Sequence, residues 1–385
     1  MKILVVSTHP THPTIEGNRK FILNQVELFR RMGHTVYFLL IQELNNSFFN
    51  STEDTISIMR QEWGDKLFVY KSSFFQQKIR GRIETYRKLF NNGYIKCDDY
   101  YPNGLTNFVN RINDSYRFDC CIVNYYTYSK LLDKINIPLK ALTTHDVFSY
   151  KNILTGEKQV WQGTTADQEA IAMQRSPHIF ALNSEESIYF SKLSPNSQIY
   201  NVYSIFTYKS SPIINNKNIL FLSGNNVYNQ NGLNWFLKDI FPLITEAFPE
   251  VKLIIGGGIC KCIQNLKSHN IILQGFICDE EAFYSQGDIV VNPTYQGTGL
   301  KIKTFEAISY DKVTMAHPHS AKGIFSPMES PLFVSNEGKE WVDFLSIIWS
   351  DKEIIRRIKK KNHDYMENMS CFIEQEYKRF FNSLK

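Results

Sequence analysis

The residues best suited to chemistry lie together in Gly297-Thr298-Gly299-Leu300-Lys301-Ile302-Lys303-Thr304-Phe305-Glu306. Gly297 and Gly299 keep side chains out of a loop, so backbone N–H groups can approach a ligand there. The loop follows a short apolar run, 289–291, set between Asp288 and the turn-forming pair Asn292-Pro293, which predicts a buried strand. Beyond the loop, apolar spacing predicts a helix over about 300–309 with Leu300, Phe305 and Ile308 inward, then a second strand over 313–316. Strand, glycine loop and helix N-terminus together make a site for an anion, because unpaired N–H groups and the positive end of the helix dipole face the loop. Lys301 and Lys303 stand in the first turn, where a cation opposes that dipole, and Glu306 follows Lys303 at i+3. One reading is a solvated helix with an incidental Lys303–Glu306 pair. The other has the lysines meet a diphosphate while Glu306 accepts hydrogen bonds from ribose hydroxyls. The glycine loop in front favours the second.

The run GTGLKIKTFEA, the strand after it and His319-Ser320-Ala321-Lys322-Gly323 resemble the donor-site signature of GT-B glycosyltransferases of the family 4 type. In that family the glutamate holds the ribose of a nucleotide sugar, and the basic residue ahead of it binds the diphosphate. The resemblance carries these roles to Glu306 and to Lys301 or Lys303. The usual pattern has a first glutamate eight residues before the second; Thr298 stands there instead, and the chain resembles a subgroup with G-x-G-x-K-x-K-x-x-E. The donor site so implied includes Thr298, Gly299, Leu300, Lys301, Lys303 and Glu306.

The whole chain sets the bounds. Its 385 residues suggest two domains, each large enough for its own core, and 43% apolar with 21% charged residues suits a soluble enzyme. No apolar run approaches the ~20 residues that cross a bilayer. The opening Met1-Lys2-Ile3-Leu4-Val5-Val6 reads as a strand, too short for the core of a signal peptide. Seven cysteines, an odd number, point to reduced thiols and a cytoplasmic protein. Cys260, Cys262 and Cys278 lack paired C-x-x-C spacing, so no metal site is expected. No D-x-D occurs either, which disfavours a metal-bridged diphosphate.

Charge is uneven. Residues 66–96 hold eight Lys or Arg against Glu84 alone, a local +7 that leaves −2 for the rest of a chain of net charge +5. Phe68, Tyr70, Phe74, Phe75, Tyr86, Phe90 and Tyr94 interleave with those cations, without any nucleic-acid-binding motif. This window reads as a solvated helix with core aromatics. Alternatively it is a surface for a charged glycan acceptor or for anionic lipid headgroups, where each nearby cation contributes roughly 1 kcal/mol.

The elements that must position these residues follow a strand–helix rhythm. A strand at 2–8, a loop through Gly17, a helix at about 19–32 and a strand at 35–41 make a βαβ opening, whose ligand crevice lies beyond the strand C-termini. Residues 42–104 lack clean periodicity. Strands resume at 119–123 and 139–144, the latter running into His145-Asp146 at the crevice edge. A helix at 164–174, a strand at 179–182, a helix entered through Asn183-Ser184 and a strand at 198–203 close this half. Strands at 219–222, 251–255 and 271–273 open the second half, where Gly256-Gly257-Gly258 lacks dinucleotide-loop spacing and reads as a strand-end turn. Helices are expected at 337–349, 353–361 and 371–384, with Arg356, Arg357, Lys359, Lys360 and Lys361 on a solvated face.

The resemblance adds roles to this frame. Gly17 matches a first-loop glycine that contacts the donor diphosphate from the opposite domain, and His145 the strand-end histidine that points at the donor sugar. Asp146 lies beside it, and Lys301 joins Gly17, His145 and Asp146 as an expected catalytic group. Gly224 and Asn225 fall in the loop that approaches the phosphates; Gly275, Phe276 and Ile277 fall where backbone groups bracket the base. Family members commonly carry Arg and Lys near the former loop, whereas this chain has Asn226, Asn229 and Asn231.

The expected fold is therefore α/β of GT-B type: two Rossmann-like domains facing across a cleft, with a C-terminal helix crossing back to the first. Residues 1–204 would bind acceptor, 205–218 link, 219–365 bind donor, and 366–385 form the returning helix. The expected reaction is metal-independent transfer of a sugar from a nucleotide diphosphate sugar to a glycan or lipid-linked acceptor, with retention implied by the resemblance. It needs no cofactor and no nucleic acid, and it would take place in the cytoplasm or at the inner face of the membrane. A nucleotide-sugar epimerase and a non-catalytic nucleotide-sugar binder remain as alternatives.

Overall fold

Strands buried on both faces need near-continuous apolar runs, and such runs build two wholly parallel sheets. The computed structural model describes all residues except 15–16, 43–51, 73–77, 80–81, 83–84, 87–93, 150, 152, 154–161, 264–267, 300–301 and 385. The first sheet contains β1 (Lys2–Ser7), β2 (Thr35–Gln42), β3 (Leu67–Lys71), β4 (Cys120–Asn124), β5 (Leu139–Thr143), β6 (His178–Ala181) and β7 (Gln198–Asn201). Their order is β3-β2-β1-β4-β5-β6-β7, with Ile3 paired to Val36 on one side and to Cys120 on the other. Parallel neighbours require crossovers, supplied among others by helices Gly17–Arg31, Glu53–Trp63, Leu105–Tyr116 and Ser184–Leu193. Gly17–Arg31 buries Phe21, Ile22, Val26 and Phe29, and ends in Arg30 and Arg31, cations that suit a helix C-terminus.

The second sheet contains β8 (Asn218–Leu222), β9 (Lys252–Gly256), β10 (Ile271–Gly275), β11 (Ile289–Asn292), β12 (Val313–Ala316) and β13 (Phe333–Val334), ordered β10-β9-β8-β11-β12-β13. Phe221, Ile255, Val291 and Met315 pack there with Trp341 and Leu345 of helix Gly338–Ser350. Helix Val227–Trp235 lies so close to the chain leaving β11 that a Cβ on Gly232 would come within 2.7 Å of Thr294 Cα.

The chain divides into two units: Met1–Ile205 with Thr298–Leu300 and Ile373–Lys385, and Phe206–Gly297 with Lys301–Phe372. The last helix is continuous from Lys352 to Asn382, where two were expected, because no Gly or Pro interrupts it. Its end returns to the first unit: Gln25 Nε2 donates to the Tyr377 hydroxyl at 2.8 Å, and Tyr377 meets Phe29 edge-on. Lys359, expected on a solvated face, is buried instead and donates to the carbonyls of Ser211 (3.1 Å) and Asp311 (2.9 Å). It helps pin residues 205–218, where Asp288 also accepts from the Ile214 and Asn215 N–H groups at 3.0 and 2.7 Å.

Residues 42–104 hold helix Glu53–Trp63 and strand β3, which the sequence pattern did not reveal. Phe68 and Tyr70 pack against the core of the first unit, so these two are ordinary core aromatics. Phe74, Phe75, Phe90, Arg80, Arg87 and Lys88 of the basic window lie outside the described residues. No helix among the described residues is long and apolar enough to cross a membrane.

Candidate functional site

In an open parallel sheet, the strand order reverses at a switch point, and a crevice forms there beyond the strand C-termini. In the second unit that point lies between β8 and β11. Lys303, on helix Ile302–Ser309, occupies it. Its ammonium donates to Ser223 Oγ (3.2 Å) after β8, to Asn229 Oδ1, and to Thr294 Oγ1 (3.5 Å) after β11. Asn229 is itself set by its bond from Nδ2 to the Gly224 carbonyl (2.9 Å) and by Asn226, whose side chain caps its N–H (2.9 Å). Asn226 and Asn229 thus orient the lysine, whereas Asn231 Nδ2 donates to Gln296 Oε1 at 3.1 Å. Glu306 is buried one turn on, with the Tyr284 hydroxyl donating to its Oε2 at 3.2 Å. Burial and the Glu306 charge raise the Tyr284 hydroxyl well above its usual range, so it stays a donor.

Glycines shape the rest of the rim. Gly297 (φ +105°) and Gly299 (φ +75°) take left-handed backbone conformations that favour glycine, and His319 Nε2 bonds the Gly297 carbonyl at 2.8 Å. Gly257 forms the strand-end turn read from the sequence: a Cβ there would stand 2.3 Å from the Ser223 carbonyl oxygen. Its N–H donates to the Gly275 carbonyl at 2.6 Å. Asn225 Oδ1 accepts from Gln230 Nε2 at 2.7 Å. Gly275 (φ +69°) ends β10, and Phe276 beyond it is 74% exposed. Gly224, Asn225, Gly275, Phe276, Ile277, Lys303 and Glu306 therefore all sit at or just beyond the C-terminal edge of the second sheet. Leu300 and Lys301 lie outside the described residues. Thr298 and Gly299 group with the first unit, where Thr298 Oγ1 donates to Asp146 Oδ2 at 2.9 Å.

The switch point of the first unit lies between β1 and β4. His9 follows β1, Tyr125 follows β4 and His145 follows β5. Tyr125 (φ 72°) and His145 (φ 67°) both adopt backbone conformations that side chains other than glycine avoid, a strain that clusters at functional sites. Tyr125 stacks on His145 with ring centroids 4.2 Å apart and touches His9 at 4.9 Å. Asn18 Nδ2 lies 3.0 Å from His9 Nδ1 and donates to the Tyr125 hydroxyl at 3.3 Å. Burial, with Arg19 second, pushes His9 down to about 3. Burial, with His9 second, does the same to His145. Both rings are therefore neutral at pH 7. Asp146 is ion-paired with Lys151 and accepts from the Val147 N–H at 2.9 Å. Gly17, read as a loop residue, is the first residue of its helix. The sequence reading passed over His9, Asn124, Tyr125 and Tyr284. The first three stand at or just after the ends of β1 and β4, where a systematic search of strand ends finds them; Tyr284 carries no local signal.

Two parallel sheets with these switch points have close counterparts among solved structures. The fold is GT-B. The chain matches TarM of S. aureus with a TM-score of 0.70 at 10% identity, over 99% of this chain and 98% of that one. It matches Anabaena Alr3699/HepE, solved with UDP, at 0.65 and 14% identity over the full length of both. Sucrose-phosphate synthase of Thermosynechococcus elongatus gives 0.61 at 13% identity, again over the full length of both. Residues 216–351, about a third of the chain, match the family model of glycosyl transferases group 1. A relative described as an uncharacterized 44.6 kDa protein in the cps region of Klebsiella pneumoniae is 22% identical, covering 100% of this chain and 98% of its own.

Proposed function

We propose that the chain is a glycosyltransferase that moves a sugar from a nucleoside diphosphate sugar, UDP-linked in the first instance, to a glycan or lipid-linked acceptor in bacterial surface polysaccharide or glycoconjugate synthesis. The observation that carries this reading is the Lys303 ammonium at the β8/β11 switch point, held by Ser223, Asn229 and Thr294 with buried Glu306 behind it. It lies within the segment that matches glycosyl transferases group 1. Structures of HepE with UDP, with UDP and glucose, and with UDP-glucose support the choice of nucleotide, as does a TarM structure with UDP and α-GlcNAc-glycerol.

The bond between the sugar's anomeric carbon and the diphosphate oxygen breaks, and its electron pair leaves with the diphosphate. The acceptor oxygen bonds to the same carbon, with retention, and its proton passes to the departing diphosphate. Lys303 and the loop N–H groups stabilise the growing phosphate charge, the electrostatic contribution that usually dominates such steps. Glu306 accepts from the ribose hydroxyls, and neutral His145 faces the sugar.

The test is a thermal-shift panel of nucleosides, nucleoside diphosphates and their sugars, followed by turnover with candidate acceptors. Only ligands that bind the folded state raise its stability. A nucleoside diphosphate should raise the melting temperature and the matching nucleoside much less. Donor turnover without acceptor would turn the assignment to an epimerase, and the absence of any shift across the panel would sink it.

A further inference from the structure

Asn124 lies fully buried at the end of β4 and has two polar ends, each facing a group of fixed character. The Val6 carbonyl can only accept, so the amide atom 3.1 Å from it is Nδ2. Oδ1 therefore faces His145 Nε2 at 2.7 Å, and because Oδ1 can only accept, Nε2 must carry a hydrogen. The ring is clamped in that orientation. Tyr125 lies flat on it, 12° from parallel, and Phe21 meets its edge at 5.3 Å and 76°. Burial keeps the ring neutral. A neutral imidazole carries one proton, so Nδ1 holds a lone pair. Among the described residues no protein group bonds Nδ1, and His145 is only half-buried.

We infer that Asn124 is a positioning residue that locks His145 in the Nε2–H tautomer, leaving Nδ1 as a fixed hydrogen-bond acceptor for a hydroxyl of the transferred sugar. The identity of that hydroxyl's owner rests on the function proposed above; the tautomer does not. With Nε2 committed to Asn124, His145 holds no proton to give at neutral pH and acts by orientation.

The experiment uses the full chain with ¹⁵N-labelled histidine and long-range ¹H–¹⁵N correlation. His145 is assigned among the nine histidines by the signal lost in His145→Gln. The expected spectrum shows a protonated Nε2, a bare Nδ1 and no titration from pH 5 to 8. A proton on Nδ1, or a midpoint inside that range, overturns the inference without need of any variant. In Asn124→Ala the two tautomers should mix. Loss of one hydrogen bond's worth of positioning should lower kcat by about two- to tenfold, with the Kd for UDP unchanged. A tautomer unmoved in Asn124→Ala likewise overturns it. Absence of UDP binding by the wild type would remove the donor reading and leave the tautomer result standing.

Discussion

Replacing Lys303 with methionine keeps the apolar stem that runs beside Phe221 and removes only the ammonium, which lies 5.6 Å from that ring's centre. The ammonium has three donors, and Ser223, Asn229 and Thr294 supply oxygens for them. A diphosphate at the switch point would exchange with these neutral partners. The gain is that of a charge-assisted hydrogen bond, about 1.5–3 kcal/mol. At about 1.4 kcal/mol per factor of ten, Lys303→Met should weaken UDP binding by roughly ten- to a hundredfold. Uridine lacks the phosphates, so its affinity should move by less than about threefold, within 0.7 kcal/mol on the same scale. Calorimetric titration of wild type and variant with uridine and with UDP reads both numbers. A melting curve checks that Ser223 and Asn229, now without the lysine, have not loosened the fold. Equal losses for the two ligands, or none for UDP, would show that the switch-point lysine is not a phosphate ligand, and the donor assignment would fail with it.

Two further predictions concern the frame of the second unit. In Gly232→Ala the new Cβ meets backbone, Thr294 Cα at 2.7 Å and the Pro293 carbonyl oxygen at 2.9 Å, so overpacking should cost about 1–3 kcal/mol and lower the melting temperature; a wild-type melting curve would refute this close approach. Lys312 is buried, and its burial together with the Lys359 charge pushes it from 10.5 down to about 8. Between those values the folded chain has released a proton that the unfolded chain still holds, so this group makes stability rise with pH from about 8 to 10.5, while below 8 its full cost is present. Lys312→Met should therefore gain most over wild type near pH 7 and progressively less toward pH 10 in urea titrations. A gap that stays constant with pH would refute the shift.

What could be read from the sequence follows from how each element is buried. β8, β9, β11 and β12 are covered on both faces, so each shows as a continuous apolar run. β3 is a half-buried edge strand whose Leu67, Phe68, Val69 and Tyr70 are all only partly covered, and nothing in its pattern separates it from the irregular residues around it. Lys359 was misplaced for a related reason. A lysine among four other cations on a helix looks solvated, and only the fold brings Ser211 and Asp311 to it.

The two switch points differ in legibility because they differ in chemistry. The stretch that leads to the β8/β11 switch point needs left-handed backbone at Gly297 and Gly299, which glycine adopts without strain, and a charge at Lys303, which only a few residue types supply. Both demands leave marks in the residue types themselves, at fixed spacing along 297–306. In the first unit the work falls to neutral groups brought from different strands: His9, Asn124, Tyr125 and His145 span more than a hundred positions of sequence. Tyr125 and His145 take on left-handed backbone without being glycine, and a structure retains such strain only where its surroundings over-determine it. The packing of three rings and the Asn124 amide does so here. A site assembled by packing writes no local motif, so the histidine that the family resemblance singled out could be named from sequence, while the residues that fix its orientation could be found only from the fold.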